Sequence, residues 1–169
     1  MPPISLNEND AFEEVRPKAN IKAKISNADL FDSKQVRIAI RYDFLKLAAK
    51  TKYCFLEQAF ENDEANLYFK RMADFAGKTI DELENGDYFR QKLHFRRNAI
   101  CGNLKKLFDC IDPQICIGNP AIYHFALSDT KNVIADRKTN SRNARVYFML
   151  GVKGEVFMLF FDPYHEINP

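Results

Sequence analysis

The sequence predicts an α+β fold, with an N-terminal strand and helices packed on a C-terminal antiparallel β-sheet. Three apolar, β-rich runs at 121–128, 144–150 and 155–161 supply the sheet. The last two flank a glycine-bearing turn at 151–154 and read as an antiparallel hairpin. Upstream, 63–76 places Leu67, Met72 and Phe75 where one side of a helix can share them.

Taken in order, residues 1–19 are polar and hold Pro2, Pro3 and Pro17, which suits an arm with little fixed structure. That leaves 20–169 as a single α+β domain. Ile21, Ala23 and Ile25 alternate with Lys22 and Lys24, the period of a short strand. The run from Val36 to Tyr42 alternates too and is a second strand candidate, although Leu45, Leu47, Ala48 and Ala49 just beyond it favour helix. Gly77 suits a helix stop, and Thr79 with Glu82 has the spacing of a capping box opening a second short helix that Gly86 would end. Asn103 to Cys110 suits a further helix before Pro113. In the hairpin, Val146, Phe148 and Leu150 must face one way and Arg145, Tyr147 and Met149 the other, because side chains alternate along a strand. Val156, Met158 and Phe160 are expected to join Val146, Phe148 and Leu150 in one buried layer.

An apolar fraction of 46%, with fifteen Phe and seven Tyr, can drive folding through burial alone. Net charge is +2, too mild to imply a nucleic-acid partner from the whole chain. Cys54, Cys101, Cys110 and Cys116 form no C-x-x-C pair and match no zinc spacing. Cys54 and Cys110 lie beside large apolar residues, as reduced core thiols do. No apolar run approaches a membrane span and residues 1–9 lack a signal-peptide core, so a reduced cytoplasmic location is expected. No metal site, cofactor fingerprint, phosphate-binding glycine loop or nucleophile elbow is present in the sequence.

Charge is distributed unevenly. Residues 88–108 hold Arg90, Lys92, Arg96, Arg97, Lys105 and Lys106 with no acidic residue, interleaved with Tyr88, Phe89, His94 and Phe95. Residues 131–145 hold Lys131, Arg137, Lys138, Arg142 and Arg145 against Asp136 alone. Guanidinium groups grip phosphates and aromatic rings stack on unpaired bases, so Arg96, Arg97, Arg137, Lys138 and Arg142 are candidate RNA or DNA contacts. The same residues also suit a solvated rim paired with the acidic stretch 57–64. The three histidines are His94, in the basic stretch, His124, inside a strand, and His165, just past the last one. An imidazole exchanges protons near neutral pH, which makes His165 and His94 candidate acid–base groups and His124 a weaker one. Asp162 and Glu166 flank His165 and could orient it; Asp162 before Pro163 equally suits a turn that caps backbone N–H groups.

Residues 121–167 resemble the C-terminal sheet of the RelE/ParE superfamily of toxins from toxin–antitoxin systems. The resemblance rests on the strand Tyr-His-Phe-Ala-Leu, a basic connection, the Arg-led strand from Arg145, and a final strand ending near His165, preceded by a helical pair at 63–77 and 79–84. It implies a metal-independent endoribonuclease that cleaves mRNA, or a gyrase inhibitor, with an antitoxin as partner. On that resemblance Arg145 would stabilise the scissile phosphate, His165 would act as acid or base and Tyr147 would assist; His94 is the best second proton-transfer group. The alternative is a non-enzymatic protein-binding module of a mobile-element or phage-defence system that acts through a partner protein.

Overall fold

A computed structural model describes residues 27–49, 51–55, 60–61, 63–111, 120–129 and 142–169. The arm 1–19, the strand expected at 21–25, Cys116, and Arg137 and Lys138 with most of their connection lie outside the described residues. The described elements run α1 (Asn27–Gln35), β1 (Ala39–Arg41), α2 (Leu45–Ala48), α3 (Glu64–Phe75) and α4 (Ile80–Asn85). A π-helical turn (Tyr88–Lys92), β2 (Arg96–Asn98), α5 (Gly102–Ile111), β3 (Ala121–Ala126), β4 (Arg145–Leu150) and β5 (Glu155–Asp162) follow.

The fold is α+β. The five strands among the described residues lie in the order β1-β5-β4-β3-β2. β2, β3, β4 and β5 pair antiparallel, as the hairpin pattern implies, whereas β1 joins β5 in parallel. The sheet is therefore mixed, and the strand read from Val36 to Tyr42 is reduced to three residues at its edge. Residues before it are diverted: Arg37 bridges Thr79, and the Ile38 N–H donates to Lys78 O.

Helices cover both faces. On one, Tyr68, Met72, Phe75, Ile80 and Leu83 of α3 and α4 pack on Phe125, Val146, Phe148 and Leu150. On the other, Leu104 and Phe108 of α5, with Phe44, Tyr53 and Ile167, pack on Ile122, Tyr147, Met149 and Phe160. Phe160 thus departs from the single layer expected with Val156 and Met158. A β-bulge is the reason: Tyr147 pairs with Phe160 but Phe148 pairs with Met158, so Leu159 is an extra residue and the alternation resets. Leu159 and Phe160 both face α5 as a result.

The capping box forms as its spacing requires. The Thr79 hydroxyl accepts from the Glu82 N–H at 3.1 Å, and the Thr79 N–H donates to Glu82 Oε2 at 2.7 Å. Gly77 follows α3 at φ +75°, a conformation only glycine adopts freely. Cys54 is buried, but Cys110 is exposed. It lies two residues, about 200° of helical turn, beyond the buried Phe108. No helix among the described residues is long and apolar enough to cross a membrane.

Candidate functional site

Strand register builds the floor of the site. Directly opposed residues on neighbouring strands share a face, and the pairs Arg96–His124, His124–Tyr147 and Tyr147–Phe160 draw one row across β2, β3, β4 and β5. The adjacent row on that face holds Arg145 opposite Asp162. His124 is 7% exposed, Arg145 2%, and Tyr147 and Asp162 are fully buried.

Two non-strand segments bring the other imidazoles over this row. The π-helical turn closes with the Leu93 N–H on Tyr88 O, and the Phe95 N–H returns to Phe89 O. Between them His94 takes φ +48°. Single π turns often mark functional sites, because the inserted residue re-aims the side chains that follow. At the other end, Asp162 is the turn-forming residue that its place before Pro163 suggested. Its oxygens accept the N–H groups of Glu166 at 3.0 Å and Ile167 at 2.8 Å. Glu166 is pinned outside by Lys52 and Tyr53, and Asn103 donates to its carbonyl. Glu166 is therefore an anchor of the turn, and it leaves His165 at φ +58° above the sheet. Positive φ at a non-glycine residue costs on the order of 1–3 kcal/mol and persists where surroundings enforce it.

The three histidines of the chain consequently meet. The rings of His124 and His165 lie 6.3 Å apart, and His124 stands 5.3 Å from the Tyr147 ring beneath it. A cavity of about 380 Å³ opens here, lined by His94, Arg96, Asn98, His124, His165 and Asn168 among others. Asn98 Oδ1 accepts from Asn168 Nδ2 at 3.1 Å and lies 2.9 Å from His124 Nδ1. Nδ1 therefore donates, and the lone pair of His124 is on Nε2.

Charge in the site is one-sided. Arg145 Nη1 is held by Asn143 Oδ1 and by carbonyl oxygens of Asn143 and Ala144, all without formal charge. Its Nε, Tyr147 Oη and Asn98 Nδ2 are buried with no hydrogen-bond partner among the described residues. Burial lowers Arg145 to about 10. Burial first, then the Arg145 cation, pushes His124 down to about 3 and His165 to about 4. His94 is lowered by burial, Arg145 and Arg96 in that order. All three imidazoles are neutral at pH 7, beside a buried arginine that the Asp162 carboxylate favours only across a distance, with no ion pair between them among the described residues.

Arg145, His165, Tyr147 and His94, the residues picked from sequence, are brought to one place. Two roles change. Arg145 and Tyr147 do not line the cavity; they lie buried under it. Arg96 and Arg97 are the arginines in the wall. Arg142 lies elsewhere, with two nitrogens 2.8 Å from the Glu64 carboxylate, a third 2.7 Å from Glu61, and its guanidinium over the Tyr164 ring. It follows the ion-pair reading and is committed to the acidic stretch. Asn98 and Asn168 are additions, and His124, the weaker candidate, joins the site. Strand alternation, which puts His124 on the side away from Tyr123, was the available signal for the last.

Among the described residues no three His, Cys, Asp or Glu side chains are disposed to hold one metal ion. Comparison with protein-family models, curated proteins and solved structures finds no match to the chain, so function is argued from this geometry.

Proposed function

We propose that the three-histidine cavity is the active site of an endoribonuclease that cuts RNA with side chains alone. The observation that carries this reading is the meeting of His94, His124 and His165 with Arg96 in the wall and Arg145 beneath. Cleavage of this kind requires a base for the 2′-hydroxyl, a cation for the phosphate and an acid for the departing oxygen.

His165 is assigned the base, because it is partly exposed, lines the cavity and is neutral at pH 7. It takes the 2′-hydroxyl proton as O2′ bonds phosphorus. The P–O5′ bond breaks, O5′ receives a proton from His94, and the products are a 2′,3′-cyclic phosphate and a 5′-hydroxyl. His94 is neutral before substrate arrives; a bound phosphodiester supplies the negative charge that favours protonation of an imidazole beside it. Arg96 contacts the phosphate. Arg145 is a positioning residue that sets the field, and His124, locked by Asn98, orients the imidazole above it.

The reading keeps the toxin expectation: expression slows growth of a host cell, and an antitoxin would cover the cavity. It is tested with purified protein and a fluorescent single-stranded RNA, with and without EDTA. Expected are cyclic-phosphate ends in both conditions and a 10²–10⁴-fold loss on His165→Ala, the usual worth of one positioned proton-transfer group. An inert wild type, full activity of both His165→Ala and His94→Ala, or loss of cleavage in EDTA overturns it. The inert result would favour the protein-binding alternative.

A further inference from the structure

β2 is an edge strand of the sheet among the described residues, and two cavities flank it. The histidine cavity lies on the side faced by Arg96 and His124. A second, of about 620 Å³, is lined by Glu84 of α4, Arg90 and Gln91 of the π-helical turn, and Phe95. His94, Arg96 and Arg97 line both. The two spaces are therefore lobes of one groove folded over the edge of a single strand.

Consecutive strand residues point to opposite faces, so Arg96 leaves the strand on the His124 side and Arg97 on the Tyr123 side, and each also borders the other lobe. Arg96 opposes His124 and Arg97 opposes Tyr123 across the β2–β3 pair. Both arginines are exposed, and neither has an ion-pair or side-chain hydrogen-bond partner among the described residues. By contrast Arg41, Arg71 and Arg142 are each held by a carboxylate. Glu84, the carboxylate in the second lobe, is neutralised by Lys34. What remains in that lobe is the Arg97 cation, with Arg90 and Gln91, both held by Asp87 at 3.6 and 3.1 Å, on its rim.

We infer that the second lobe receives the nucleotide next to the cut one, and that the substrate class is single-stranded RNA carrying at least one phosphate beyond the scissile one. Arg96 serves the reacting phosphate and Arg97 the neighbouring one. Only a flexible single strand can bend across a strand edge and enter both lobes; a stiff duplex lies along one side. The inference rests on the cleavage reading for the identity of the first lobe, and adds the second.

Oligonucleotides of different length separate the two. Wild-type kcat/KM for a trinucleotide should exceed that for the dinucleoside monophosphate of the same cleaved step by about tenfold, as an arginine–phosphate contact implies. In Arg97→Ala that ratio should fall to about one. The matching deoxy-trinucleotide lacks the 2′-hydroxyl and cannot be cut this way, so it reports binding alone. Its salt slope, read by fluorescence anisotropy, should fall by about one in the variant. Equal cleavage of both lengths by the wild type overturns the second lobe while sparing the cleavage reading. Arg97-dependent deoxy-trinucleotide binding without any RNA cleavage overturns catalysis and sustains the groove. Tighter binding of a duplex than of a single strand overturns the inference outright.

Discussion

Arg145 and Asp162 stand directly opposite one another on β4 and β5, buried on the same face, yet no ion pair between them occurs among the described residues. The Asp162 carboxylate turns instead to the N–H groups of Glu166 and Ile167. One arrangement has two consequences. It builds the turn that places His165, and it leaves Arg145 a cation held only by neutral oxygens. A buried charge without an ion-pair partner is costly, and its field falls on whatever lies beside it, here three imidazoles as well as the Asp162 carboxylate.

Replacing Arg145 by Met should raise the pKa of His124 and His165 from about 3 and about 4 towards 6.5. Recovery should be partial, because burial ranks ahead of Arg145 for both rings. Stability should be unchanged or higher, since an apolar residue of similar length removes a desolvated charge. NMR titration of the imidazole Cε1 protons makes the check. Unchanged midpoints in a folded variant would mean that the arginine does not set the histidine field.

Acid should destabilise the protein earlier than its carboxylates alone would. The folded-state pKa values of His124 and His165 lie below the ordinary 6.5, so the unfolded chain binds these protons first. Stability is then full above about pH 6.5 and falls as pH drops towards 4. His124 contributes about 1.4 kcal/mol per pH unit in that window, and His165 less, because it is partly exposed and screened. Asp162 works the other way: burial raises its carboxyl, so the native state gains protons, and stability, as pH falls through that folded value. Urea denaturation at pH 7.5, 6 and 5 reads the slope, and His124→Gln should flatten it by about one proton. A flat profile from 7.5 to 5 would contradict neutral, buried imidazoles.

Thr79→Ala should cost about 1 kcal/mol, the usual value of an N-cap. Here the cap also steadies the crossing between Arg37 and Thr79 that leads into β1. Thr79→Ser, which keeps the accepting oxygen, should restore most of the loss. Equal denaturation midpoints for the wild type and the alanine variant would remove the capping box from the stability of the fold.

The capping box was legible because it depends on two residues three apart. The hairpin was legible for the same local reason, since alternation assigns Val146 and Tyr147 to opposite faces without knowledge of their partners. The extra residue at Leu159 is not a local property: the run from Val156 to Phe161 is apolar throughout, so no polar residue marks where its alternation resets. β2 went unread because Arg96, Arg97 and Asn98 include neither a β-branched nor an aromatic residue. It is a strand only through its pairing with β3. The active-site proposal was legible in residue type and not in assembly. His94, His124 and His165 are separated by 30 and 41 positions, and only the cross-strand register and two positive-φ residues bring them together.

If His165 is the base, the acid limb of kcat/KM should fall near pH 4 rather than near 6.5. That limb reports the free enzyme's base, which works only when deprotonated, and the His165 site holds its imidazole at about 4. At pH 5.5 an ordinary imidazole has lost about nine-tenths of its basic form, whereas His165 keeps nearly all of it. Cleavage of RNA should thus persist at pH 5.5 at no less than its neutral rate, because His94, the acid, gains protons as pH falls, provided circular dichroism shows the chain still folded. Arg145→Met should move the limb upward together with the NMR midpoint of His165, tying the kinetic group to one imidazole. A limb at 6.5 in the wild type, or one that ignores Arg145 while the His165 midpoint moves, would assign the base to another group.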